Sequence, residues 1–182
     1  MYHIKQDMRS TGSAKRLCEG LADLLRGKSY GEISISGVCS SCGVARTTFY
    51  RLFDTLDDVL LYQFDTLFAE SIEQYQKQEN RDDGSYARII LRIALVDPAL
   101  ITALVSSGRT DLFDFSARLK EERLIQDMRI SLDGINRRYC TAMLNAILLS
   151  AVKTWIETGC RETADELYQI LKTNIALIQR HV

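Results

Sequence analysis

Only one proline, Pro98, interrupts this chain of 182 residues, and glycines number just ten. A chain with so few breakers has few places to turn sharply, so its elements must be long and its connections short. Its apolar residues recur at the helical interval. Ala14, Leu17, Cys18, Leu21, Leu24 and Leu25 form one stripe at i, i+3/i+4 and i+7. Lys15, Arg16, Glu19, Asp23 and Arg26 fall off that stripe, on faces suited to water. The pattern predicts an all-α protein of about nine helices.

The first helix is expected over about residues 11–27, stopped by Gly27. Ser34 is placed to cap a short second helix over 35–41, which buries Val38 and Cys39 and breaks at Gly43. A third short helix is expected over 45–53. Thr55 and Asp58 then have the spacing of a capping box for a long fourth helix over 56–77. Its inward residues are Val59, Leu60, Phe64, Leu67, Phe68 and Ile72. ENRDDGS, residues 79–85, reads as a linker. Helical pattern resumes over 86–96, over 98–105 behind Pro98, and over 113–129. Two long helices close the sequence. One spans 135–158 and ends at Gly159, and the other opens at Thr163-Ala164-Asp165-Glu166, a second capping box, and runs to Gln179.

The segment 142–152, AMLNAILLSAV, is apolar almost all round. A helix of that kind lies in a core or shares its surface with another subunit. Leu167, Ile170, Leu171, Ile175 and Ile178 offer a matching face on the last helix. The pair points to an intersubunit four-helix bundle, with two ordinary core helices as the other reading. No unbroken apolar run approaches the roughly 18 residues of a membrane span, and MYHIKQDMRS has no hydrophobic stretch after its charges, so a cytoplasmic location is expected. Five cysteines at irregular spacing do not form a disulfide framework and read as free thiols.

The net charge of −1 conceals an asymmetry. Residues 1–53 carry eight Lys/Arg against four Asp/Glu, and residues 54–182 carry 15 basic and 20 acidic side chains. A basic head on an acidic body suits a protein whose first quarter meets a polyanion.

Within that head, residues 34–53 have the pattern of a helix-turn-helix. Gly43 sits at the sharp turn, where a positive φ is cheap for glycine. Cys39 and Cys42 fill small-residue positions between two close helices, and Val44 plugs the angle. Phe49 and Phe53, four apart, face the core. Arg46, Thr47, Thr48, Tyr50 and Arg51 are left on the open side. These are residue types that read DNA: arginine meets guanine edges, threonine a thymine methyl or a phosphate, and tyrosine a phosphate oxygen.

On these residues, ISISGVCSSCGVARTTFYRLFDTLDDVLLYQF resembles the DNA-binding domain of the TetR/AcrR family of transcriptional regulators. The Gly-Val, the Thr-Phe-Tyr-x-x-Phe and the acidic-leucine stretch after it carry the resemblance, which covers about residues 11–65. KTWIETGCRETADELYQIL, residues 153–171, resembles the dimer helices of one branch of short regulators. The resemblance implies a homodimer, joined through its last two helices, on double-stranded DNA with a near-palindromic operator. It implies a DNA-binding domain over residues 1–53 and a ligand-sensing and dimerisation domain over 54–182, and favours repression. Arg46, Thr47 and Thr48 would face bases, Thr48 and Tyr50 would hold phosphates, and Ser34 would assist from the preceding helix. Two positions depart from the family pattern. Leu56 stands where a lysine commonly opens the fourth helix, and Ala45 where a serine commonly opens the recognition helix. Both remove backbone anchors, and Lys5, Arg9, Lys15 and Arg16 are the available substitutes.

Other chemistries find little support. Cys39 and Cys42 have the spacing of half a zinc site, but there is no second such pair, and the histidines are only His3 and His181. No strand precedes the pair, as a thioredoxin-like site requires. Oxidation of Cys39, Cys42 or Cys18 as a switch stays open beside the plain reading of buried core thiols. With one histidine near each end, no nucleophile-His constellation forms, and no Gly-rich phosphate loop occurs, so no enzyme, metal or cofactor is expected. Asp82-Asp83 reads as a solvated loop pair. In the body, Arg88, Arg92, Phe113 and Tyr139 stand out among aromatic and cationic residues as candidates for holding a small-molecule inducer. A second hypothesis, motivated by Leu56 and its acidic neighbours, is a protein-interaction module of the same fold that has lost its DNA site.

Overall fold

The computed structural model describes residues 2–5, 7–77 and 134–180, together with 87–88, 91–92, 95 and 98–106. Seven α-helices lie among the described residues: α1 Met8–Leu25, α2 Ile35–Cys42, α3 Arg46–Leu52, α4 Leu56–Gln76, α5 Pro98–Ser106, α6 Gly134–Glu157 and α7 Ala164–Gln179. Residues 87–88 and 91–92 are also helical. The helix expected over 113–129 and the whole 79–85 linker lie outside the described residues.

The chain forms two compact units, Met1–Leu67 with Ala99–Phe113, and Phe68–Pro98 with Asp114–Val182. In the first, α1 packs on both α2 and α3, and α2 packs on α3. Its centre is built from Leu17, Leu21, Val38, Phe49, Leu52, Phe53, Val59 and Leu60, all almost wholly buried. Each such side chain contributes about 1.5–3 kcal/mol through its removal from water. The stripe read from the sequence is therefore the inner face of α1.

The ends of α1 differ from the sequence expectation. The helix begins at Met8 because Asp7 caps it: Asp7 Oδ1 accepts from the Ser10 N–H at 2.7 Å, and Oδ2 accepts from the Ser10 hydroxyl at 2.9 Å. These bonds hold the Asp7 carboxyl below the usual range. The helix ends at Leu25, with Arg26 in right-handed geometry at its C-cap. Gly27 lies beyond the end, and its N–H reaches back to the Leu24 carbonyl.

In the second unit the joint between α6 and α7 is tightly specified. Gly159 and Cys160 both take positive φ, at 92° and 55°. The Trp155 indole donates to the Glu162 carbonyl at 2.9 Å. Thr163 and Glu166 form the expected capping box, in which the Glu166 N–H donates to Thr163 Oγ1 and Glu166 Oε2 accepts from the Thr163 N–H. The segment Arg138–Glu157 is long and apolar enough to cross a membrane by length and composition. The count of unbroken apolar residues missed this, because Asn145, Ser150 and Lys153 interrupt the run. Core helices of soluble proteins share that composition; here 19% of the stretch is buried, Leu148, Val152 and Trp155 among it.

Candidate nucleic-acid interface

The hairpin of α2 and α3 takes its shape from local chemistry. The Ser34 hydroxyl accepts from the Gly37 N–H at 3.1 Å and starts α2. Gly43 ends it with φ 66°, in the left-handed region where a Cβ would be strained. The Val44 N–H then bonds the Cys39 carbonyl, and the Val44 side chain is buried in the angle. α3 has Ala45 at its N-cap, which gives no side-chain hydrogen bond.

α3 is two-faced. Phe49 and Leu52 are buried on one side, with Phe53 just beyond the helix end. Phe49 and Phe53 lie 5.9 Å apart between ring centroids. On the other side Arg46, Thr47, Tyr50 and Arg51 are exposed, and Thr48 is partly so. Tyr50 leaves half of its large apolar side chain in water, at 50% exposure. Ser34 is also exposed, beside its capping bond. Lys5, Arg9, Lys15 and Arg16 are exposed as well.

The two cysteines behave as core. Cys39 is buried, and Cys42 is half-buried with its thiol directed at the Val38 carbonyl, 3.1 Å away. Burial, then the neighbouring Cys42, push the Cys39 thiol above its usual value, against a smaller pull from Arg46. The thiolate needed for oxidation or metal binding is thereby disfavoured. All five cysteines are free thiols, and no cluster of metal-ligating side chains occurs among the described residues.

The acidic start of α4 is engaged internally. Asp58 Oδ2 accepts from the Asp54 and Thr55 N–H groups at 3.1 and 3.0 Å, and Thr55 Oγ1 accepts from the Asp58 N–H. Tyr30 donates to Asp57 Oδ1 at 2.6 Å. His3 Nε2 lies 3.3 Å from Asp54 Oδ2. Sequence reasoning found the Asp58 cap from its spacing. It missed the other two, whose partners lie 27 and 51 residues away.

No protein-family model matches the sequence, and no curated protein does. Solved structures do. Lin0861 from Listeria innocua superposes with a TM-score of 0.79 at 18% identity, covering 97% of this chain and 96% of that one. The fatty acid degradation regulator FadR from Bacillus halodurans gives 0.63 at 16%, with 93% of each chain covered. A TetR/AcrR-family transcriptional regulator from Aquifex aeolicus VF5 gives 0.57 at 12%, covering 91% of this chain and 99% of that one. The fold is that of the TetR/AcrR regulators. At these identities the likeness is one of fold.

Within this TetR/AcrR fold the second unit presents a long apolar groove between α6 and α7. It encloses about 510 Å³ and is lined by residues including Ile147, Ala151, Trp155, Leu171 and Ile175. Ile170 and Ile178 also line it, at 45% and 62% exposure, and Met143 on α6 and Leu177 on α7 are exposed as well. Of the candidate inducer residues, Arg88 and Arg92 converge on Asp165 of α7, at 3.9 and 3.4 Å. The Arg88 guanidinium also lies over the Tyr168 ring, 4.4 Å from its centroid. Tyr139 stands on α6 at 68% exposure. Phe113 lies outside the described residues.

Proposed function

We propose that the protein is a dimeric, sequence-specific DNA-binding transcriptional regulator. The observation that carries this reading is the two-faced α3. Its apolar side is consumed by the core, and its other side offers Arg46, Thr47, Thr48, Tyr50 and Arg51 to the outside. A helix of this kind enters the major groove with its first residues at base edges. Arg46, Thr47 and Thr48 are assigned to bases, Thr48, Tyr50 and Arg51 to the backbone, and Ser34 to a flanking phosphate. Residues 1–53 then read the operator, and 54–182 dimerise and sense. The internal partners of Asp54, Asp57 and Asp58 weaken the alternative of an interaction module, because those acids have structural work of their own.

Dimerisation is assigned to α6 and α7. Large apolar side chains exposed along both helices, beside an apolar groove, suit burial against the same surface of a second copy. Two recognition helices would then meet half-sites about one DNA turn apart, and a signal that alters their separation would lower affinity. Repression is the preferred direction. Arg88 and Arg92 already hold Asp165, so an anionic inducer at that place would have to displace this carboxylate. Action on the genome sets the location where the DNA is, in the cytoplasm.

Selection from random duplex DNA with the purified protein tests the reading. A near-palindromic sequence should be enriched, and Tyr50→Ala should bind it about tenfold more weakly. No enrichment even at low salt would refute it.

A further inference from the structure

Tyr2 and His3, ahead of α1, are tied back to α3 and α4. Tyr2 forms an antiparallel bridge with Phe53, and the His3 N–H donates to the Leu52 carbonyl at 2.8 Å. Leu52 is the last residue of α3, where helical carbonyls lack partners of their own. The Tyr2 hydroxyl donates to Asp65 Oδ2 on α4 at 2.7 Å. Its ring meets Tyr62 edge-on at 5.3 Å, and Tyr62 meets Phe53 edge-on at 5.8 Å. Burial, then the Asp65 carboxylate, push the Tyr2 phenol well above its usual value, so it stays a donor. His3 beside Asp54 adds a tie at the α3–α4 corner.

α3 needs such help. It has seven residues, about two turns, and no side-chain cap at its N-terminus. Helices this short are not stable alone. One face must also stay uncovered if it is to read DNA, so only its inner face and its C-terminal end are open to reinforcement. The segment reaches that end and leaves Tyr50 half exposed.

We propose that Tyr2 and His3 are a positioning strap of the DNA reader: they close the C-terminal end of the recognition helix and tie it to α4, fixing how its open face is presented. The proposal rests on the DNA-binding reading for its consequence, but not for its physical content. Tyr2 is the positioning residue, and the strap itself touches no DNA.

Amide hydrogen exchange of the full chain without DNA tests the physical part. Tyr2→Ala should speed exchange at residues 50–53 about tenfold, and leave the amides of Leu17 and Leu21 in α1 unchanged. Tyr2→Phe, which keeps the ring against Tyr62 and loses the bond to Asp65, should fall between, and serves if Tyr2→Ala does not fold. Unchanged exchange at 50–53, or equal acceleration in α1, would overturn the proposal. On a selected operator, Tyr2→Ala should lower affinity about tenfold with an unaltered salt dependence. A shallower salt dependence would mean that the segment meets phosphates itself, and would also overturn it. If the parent selects no operator, the regulator reading falls while the exchange result still decides the strap.

Discussion

Replacing Gly20 by alanine should destabilise the protein, against the usual effect of such a change. Mid-helix Gly→Ala ordinarily stabilises by about 0.5–1 kcal/mol, because glycine loses more backbone freedom on folding. Gly20 is buried where α1 crosses α2, and an ideal Cβ there would stand 2.8 Å from Ser41 Oγ, 2.9 Å from Cys42 Cβ and 3.4 Å from the Val38 carbonyl oxygen. The serine hydroxyl could rotate away, at the loss of its 2.9 Å bond to the Val38 carbonyl. Cys42 Cβ cannot, since it moves only with the α2 backbone. Overpacking of this kind costs about 1–3 kcal/mol, which after the ordinary gain leaves a net loss of about 1 kcal/mol. Gly12→Ala is the control. It lies in the same helix with nothing within 4 Å of its Cβ, and should gain about 0.5–1 kcal/mol. The two variants should therefore differ by about 2 kcal/mol, which urea unfolding reads as separated midpoints with equal slopes. If Gly20→Ala matched Gly12→Ala in gaining stability, the close approach of α1 and α2 would be refuted.

Three further outcomes follow from the same structure. With a thiol reagent, exposed Cys140 should react first, and Cys18, buried beneath the Val59 carbonyl, only on unfolding; early loss of Cys18 in mass-mapped labelling would contradict its burial. Burial pushes the Cys18 thiol up to about 12 from 9.0. Its contribution is therefore complete below about pH 9 and disappears between there and pH 12, at about 1.4 kcal/mol per pH unit, as the unfolded chain ionises first; urea midpoints across that range should fall, and Cys18→Ala should fall less steeply. Ile178→Glu, on the open face of α7, should convert a dimer to a monomer at micromolar concentration while helix content holds, and sedimentation giving an unchanged mass would remove that face from the interface.

What could be read in advance was what depends on near neighbours. The inner stripe of α1, the Ser34 cap, the left-handed Gly43 and the Thr163–Glu166 box each arise within about four residues, so their spacing reveals them. The open face of α3 followed in the same way, once Phe49 and Phe53 had been assigned to the core. The start of α1 was misplaced because Asp7 precedes the apolar stripe, and its cap acts on Ser10, a small polar residue that is buried. The strap could not be found: one bridge between Tyr2 and Phe53 repeats nothing and has no period. The tie between Tyr30 and Asp57 is invisible for the same reason, so the acids of α4 stand in the sequence as a mark against DNA binding. Gly20 gave no signal either, since a close approach between helices depends on where the second helix lies.

The joint between α6 and α7 has a consequence for heredity. Two residues in left-handed geometry, an indole bonded across the turn and a reciprocal cap hold this hairpin in shape by contacts of its own. Under the proposed dimer, two such hairpins meet as finished pieces and need no intact DNA reader to recognise each other. An allele damaged in α3 would still produce chains that pair with normal ones, and each mixed pair would hold one working reader on a two-part operator. Such lesions should therefore act dominantly over the normal copy, whereas lesions in the hairpin should be recessive.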